Sequence, residues 1–105
     1  MRRGFLARLL AAISFGPAAP AAASAPRNKI LIKSAWGSAD PTQASFAFHH
    51  ANAFAEAGHE VQVFLLGEAV TLMRTAVANA IVPVGWPPLA KALGKALEHK
   101  IPVHV

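Results

Sequence analysis

The chain predicts an α/β fold built on parallel strands, and three observations carry that expectation. Lys29-Ile30-Leu31-Ile32-Lys33 and Glu60-Val61-Gln62-Val63-Phe64-Leu65-Leu66 are short β-rich apolar runs bounded by polar or turn residues. Between them, Pro41 to Ala57 repeats its apolar residues at helical spacing. A strand, a crossover helix and a second strand in that order make the strands parallel neighbours.

In chain order, the first strand is expected at Asn28–Ala35, buried on both faces because Ile30, Leu31 and Ile32 are consecutive. Trp36-Gly37-Ser38-Ala39 is the loop that follows. Asp40-Pro41-Thr42-Gln43 then opens a helix: Asp40 caps, Pro41 lacks an N–H that the first turn would leave unpaired, and Gln43 has capping-box spacing. On the helix, Ala44, Ala47, Phe48, Ala51, Phe54 and Ala55 should pack on the sheet. Ser45, His49, Asn52 and Glu56 form a polar stripe that should face solvent or a partner. Gly58 is the left-handed stop.

Glu68–Ala80 is expected as a second helix, with Val70, Met73, Val77 and Ala80 on one side. Three prolines and Gly85 force a loop at Ile81–Pro88. Leu89–His99 reads as a third helix, apolar along Leu89, Leu93, Ala96 and Leu97, and Ile101–Val105 begins a third strand.

The N-terminal 23 residues have another character. Arg2, Arg3 and Arg8 supply a positive start, Leu9–Phe15 a short apolar run, and Ala18–Ala25 a small-residue stretch. This is the layout of an export signal, with cleavage expected after Ala23 and residues 24–27 as a linker. Arg2-Arg3-Gly4-Phe5-Leu6 partly matches the twin-arginine signature, so the general secretory and twin-arginine routes both stand. The expected destination is the periplasm. The apolar run falls well short of the ~20 residues that span a bilayer, so no membrane span is expected in the mature protein.

Composition narrows the function classes. The 105 residues are 54% hydrophobic, with a mean hydropathy of +0.39, which excludes a disordered, charge-rich chain. The formal charge of +5 falls to +2 without residues 1–23, seven Lys/Arg remaining against five Asp/Glu. The remaining cations are spread out, so no nucleic-acid partner is expected. With no cysteine, these residues offer no thiol chemistry, cysteine zinc site or iron–sulfur ligation.

In open α/β folds ligands bind beyond the carboxyl ends of the strands. The candidate ligand-binding residues are therefore Trp36, Gly37, Ser38 and Asp40 of the first such loop, with His49 and Trp86. One glycine is not a dinucleotide fingerprint, and there is no P-loop, so no cofactor is expected. The ordinary reading of Asp40 is a helix cap. His49 and His50 diverge by ~100° on a helix and do not chelate together, so no metal site is expected. A Ser38–His49–Asp40 set has no distinguishing spacing, and no catalytic residue is assigned. Trp36 and Trp86 either line a pocket or contact or cover the ends of the core.

Over residues 28–105 the chain resembles the DsrE/DsrF family of small sulfur-relay proteins. The resemblance rests on KILIKSAWG, DPTQASFAFHHANAFAEAGHEVQVFLLGEAV and VGWPPLAKALGKALEHKIPVHV. It implies a three-layer α/β/α fold of flavodoxin/Rossmann-like type with a mostly parallel sheet, three strands of which are present, assembled as a trimer or hexamer. Family members active in sulfur relay carry a persulfide on a cysteine just after the third strand. That position would follow Val105, so the domain is expected to be incomplete at its C-terminus and no family catalytic residue maps onto this sequence. The expected function is an exported, non-catalytic interaction or structural subunit with a sulfur-metabolism partner. The alternatives are a small hydrolase or transferase, or a small-ligand binder, using the Trp36–Asp40 loop.

Overall fold

The computed structural model describes residues 26–105. The expected signal, residues 1–23, and the first part of the linker lie outside the described residues. Strand β1 (Lys29–Ser34) leads through helix α1 (Pro41–Glu56) to strand β2 (Glu60–Leu65). A 3-10 helix (Gly67–Met73), a short helix α2 (Thr75–Ala80), helix α3 (Leu89–Glu98) and strand β3 (Val103–His104) follow. The strands form one sheet in the order β1-β2-β3.

Both pairings are parallel. β1 and β2 run in register from Lys29↔Glu60 to Ser34↔Leu65, and Val63↔Val103 and Phe64↔His104 join β2 to β3. The α/β class with three parallel strands is as the βαβ pattern predicts. The register sorts the faces. Ile30, Ile32, Val61, Val63, Leu65 and Val103 meet a single core built with Ala44, Ala47, Phe48 and Ala51 of α1 and Leu89, Ala92 and Ala96 of α3.

The other face carries Leu31, Lys33, Gln62, Phe64 and His104. Leu31 there is 55% exposed, so β1 is not buried on both faces as its continuous apolar run suggested. Among the described residues the helices cover one face, and nothing stands over Leu31.

Helix α1 starts as expected. Asp40 Oδ1 accepts the Gln43 N–H at 3.0 Å, and Pro41 opens the first turn. Its end is at Glu56 with Ala57 as cap, and Gly58 takes φ +96°. The face assignment needs correction. Ser45 and Asn52 of the polar stripe are buried, whereas Phe54 is exposed. For Asn52 the reason is α3, which packs on α1 and covers what a helix lying on a sheet alone would leave wet.

The second helix divides at Arg74, whose backbone is extended (φ −85°, ψ 126°). Thr71 Oγ1 donates to the Glu68 carbonyl at 2.7 Å, a side-chain bond that competes with regular helix. The first half winds with three residues per turn, which aligns positions 69 and 72. Ala69 and Leu72 are therefore the buried pair, and the expected Val70, Met73 and Ala80 are exposed. On α3 the buried residues are Leu89, Ala92 and Ala96. Leu97, expected on the apolar side, is exposed.

Candidate functional site

The sequence-derived candidates separate into two places. The loop after β1 is held by its own backbone: Asp40 N–H donates to the Gly37 carbonyl at 3.2 Å, and Trp36 N–H to Ser34 Oγ at 3.4 Å. Gly37 is buried, and a Cβ there would lie 2.7 Å from the Glu68 carbonyl oxygen, so the loop packs tightly on the 3-10 helix. Asp40 caps α1, and Ser38 is exposed. Trp36, half-exposed, borders a shallow hollow of about 200 Å³ with Lys33, Ser34, Gln43, Phe46 and His50.

His49 and Trp86 come together elsewhere. The Trp86 ring lies 5.2 Å from the His49 ring and 5.7 Å, edge-on, from Phe46. His49 Nε2 is 3.1 Å from the Pro87 carbonyl oxygen; a carbonyl only accepts, so the proton of that bond sits on Nε2. His50 turns the other way and stacks on Phe46 at 5.3 Å, the divergence expected of adjacent helical residues. Phe46 thus touches Trp86 on one side and borders the same hollow as Trp36. Ser38, His49 and Asp40 make no hydrogen bond to one another among the described residues: Asp40 Oδ1 is engaged with Gln43 and His49 Nε2 with Pro87.

A cleft of about 350 Å³ opens where α1 meets α3. From α1 it takes His49, Asn52 and Glu56, one helix stripe at i, i+3 and i+7. Trp86 and Pro87 form one wall, and Lys91 and Lys95, one turn apart on α3, form the other. The volume lies within the range of small-molecule sites, ~300–1,000 Å³.

Asn52 holds the two helices together. Its Nδ2 donates to the Ala92 carbonyl at 2.8 Å, and the residue is 5% exposed. Its Oδ1 is buried without a partner. Exchanging the amide's oxygen and nitrogen does not help, since the oxygen would then face the Ala92 carbonyl. An unmet buried acceptor costs ~1–3 kcal/mol.

At the far end of the cleft Glu56 Oε2 lies 2.9 Å from Lys95 Nζ and 3.1 Å from His99 Nε2. The hydrogen bond from Lys95, and then that from His99, holds the Glu56 carboxyl below its ordinary range. Lys91 makes no ion pair among the described residues.

Asn52, Glu56, Lys91 and Lys95 were not candidates from the sequence, where they read as wet helix faces. The available signal was an acid on one polar stripe and two cations one turn apart on another. It becomes a site only when the two helices are known to touch.

No group of three or more His, Cys, Asp or Glu is placed to hold a metal ion, and no helix is long and apolar enough to cross a membrane, among the described residues.

Three parallel strands with crossover helices define a protein of the open α/β class. A family model described as "DsrE/DsrF-like family" matches residues 28–105, and the chain belongs to that family. Comparison with curated proteins and with solved structures gave no match.

Proposed function

We propose that this chain is an exported subunit of sulfur relay that works by interaction and does not itself carry sulfur. The observation that supports it most is chemical: the DsrE/DsrF-like match at residues 28–105 holds no cysteine, so these residues offer no thiol on which to form a persulfide. The interaction role draws support from the sheet, whose open face carries Leu31 and the half-buried Phe64 and whose outer strands are β1 and β3. Self-assembly into a trimer or hexamer fits the family, with a thiol-bearing sulfur-relay protein as the partner. The basic, apolar and small-residue order of residues 1–23 supports export to the periplasm.

An enzyme working from the Trp36–Asp40 loop has less behind it, because Asp40 is occupied as a helix cap.

Two measurements test the proposal. Light scattering on the purified mature chain should give a trimer or hexamer, and a strict monomer at every concentration would remove the assembly. Residues 1–27 fused to alkaline phosphatase should yield activity that depends on export; a cytoplasmic, inactive fusion overturns the periplasmic reading.

A further inference from the structure

Strand β1 is an outer strand of the sheet, and half of its peptide groups have no strand to bond. The Asn28 and Ser34 carbonyls accept the Glu60 and Leu66 N–H groups, each at 2.9 Å, so Asn28, Ile30, Ile32 and Ser34 turn their backbone toward β2. Successive residues of a strand alternate in this respect, so the N–H and C=O groups of Lys29, Leu31 and Lys33 point the other way. No strand of the described residues stands there. The side chains of the same three residues lie on the open face, with Leu31 exposed between two lysines that make no ion pair among the described residues. Glu60, beside Lys29 in the register, leaves that lysine unpaired. On the α1 side, the hollow of about 200 Å³ borders this edge: its sheet residues come from β1 and none from β2, and Ile32, Trp36, Phe46 and Ala47 supply its apolar lining.

Charge and backbone chemistry select the occupant. A second copy, paired antiparallel along the whole strand, would set Lys29 of each chain against Lys33 of the other, and like charges directly opposite repel. Residues 1–27 of the chain itself contain no acid, and Pro17, Pro20 and Pro26 lack the N–H that a ladder needs. An acidic strand from another protein meets neither obstacle.

We propose that the outer edge of β1 takes an extended acidic segment of a partner protein as an added strand. The segment's backbone completes the bonds left open at Lys29, Leu31 and Lys33, and two of its carboxylates meet the two ammonium groups. Of the residues between those carboxylates, an apolar one on the α1 side enters the hollow. This docking rests on the interaction role inferred above. Light scattering and the export fusion judge that role; the titration that follows judges only the edge.

The test titrates the ¹⁵N-labelled chain with acetyl-Glu-Val-Leu-Val-Glu-amide and follows the backbone amides. Those of Lys29, Leu31 and Lys33 should shift saturably, with a Kd below about 1 mM, and exchange with deuterated water about fivefold more slowly in the complex. The peptide with lysine in place of both glutamates should bind about tenfold more weakly. A peptide with three prolines between the glutamates keeps the charges but not the ladder donors, and should weaken by about the same factor. Lys29→Glu combined with Lys33→Glu should reverse the preference between the acidic and the basic peptide, and both positions are exposed, so the fold is kept. No saturable shift, shifts confined to residues away from β1, equal binding of the three peptides, or an unreversed preference in the double variant would overturn the proposal. So would slow exchange of the three amides without peptide, because a second copy or the chain's own N-terminal segment would then hold the edge.

Discussion

Asn52 on α1 and Ala92 on α3 are joined by a 2.8 Å hydrogen bond from carboxamide to backbone carbonyl, buried where the two helices cross. The bond turns a residue of the polar stripe into a helix–helix fastener. Asn52→Ala should destabilise the domain by about 1–2 kcal/mol, removing a buried bond and some packing. Asn52→Leu removes the same carboxamide but fills the space that alanine leaves empty, so it should cost less than the alanine. Urea unfolding of the parent and both variants checks this; an alanine variant as stable as the parent would mean that the bond does not fasten the helices.

Gly37→Ala should be damaging although the loop lies at the surface. Its new Cβ would meet the Glu68 carbonyl oxygen at 2.7 Å, and the obstacle is backbone, which cannot swing aside. Overpacking of this kind costs about 1–3 kcal/mol. Gly94→Ala is the comparison, since its Cβ would meet no atom within 4 Å and alanine is the better helix former. A thermal melt should show Gly37→Ala lowered and Gly94→Ala unchanged or raised.

Asp40→Ala should cost about 1 kcal/mol through loss of the cap to the Gln43 N–H, and Asp40→Ser should retain most of the stability. Circular dichroism through a denaturant titration measures both. A serine variant as unstable as the alanine would mean that Asp40 acts through something other than capping.

Glu56 gives the domain an acid-sensitive tie between α1 and α3. Its carboxyl titrates lower when folded than when unfolded, because Lys95 and His99 bond its charged form. Its contribution is therefore present above the ordinary carboxylate range, near pH ~4.3, and is lost as pH falls through the depressed folded value. The carboxylate is half-exposed, so salt weakens the effect. Stability measured from pH 6 to pH 3 should fall less steeply in Glu56→Gln than in the parent; parallel curves would remove Glu56 from the acid response.

Local chemistry was legible wherever one short stretch settles its own conformation. Asp40, Pro41 and Gln43 specify a helix start, Gly58 specifies its stop, and the apolar runs on either side specify parallel strands, because caps and left-handed turns are decided within a few residues. Of the candidate residues, His49 and Trp86 do share a cleft, while Trp36, Gly37, Ser38 and Asp40 lie in and beside a separate loop. The sequence alone does not say that Asn52 and Lys91 belong with the first pair. They are 39 positions apart, and neither breaks the pattern of a wet helix face.

The division between the two levels is clearest on α1. Its position, its ends and its role as the crossover between parallel strands follow from the amino-acid sequence, since each depends on local spacing and backbone preference. Which of its faces is dry was decided only by the tertiary structure. A helix with one partner buries one stripe; α1 has two, the sheet and α3, so Asn52 of the polar stripe is buried where α3 bonds to it. The same docking of α3 makes the cleft and brings Trp86, Asn52 and Lys91 to its walls.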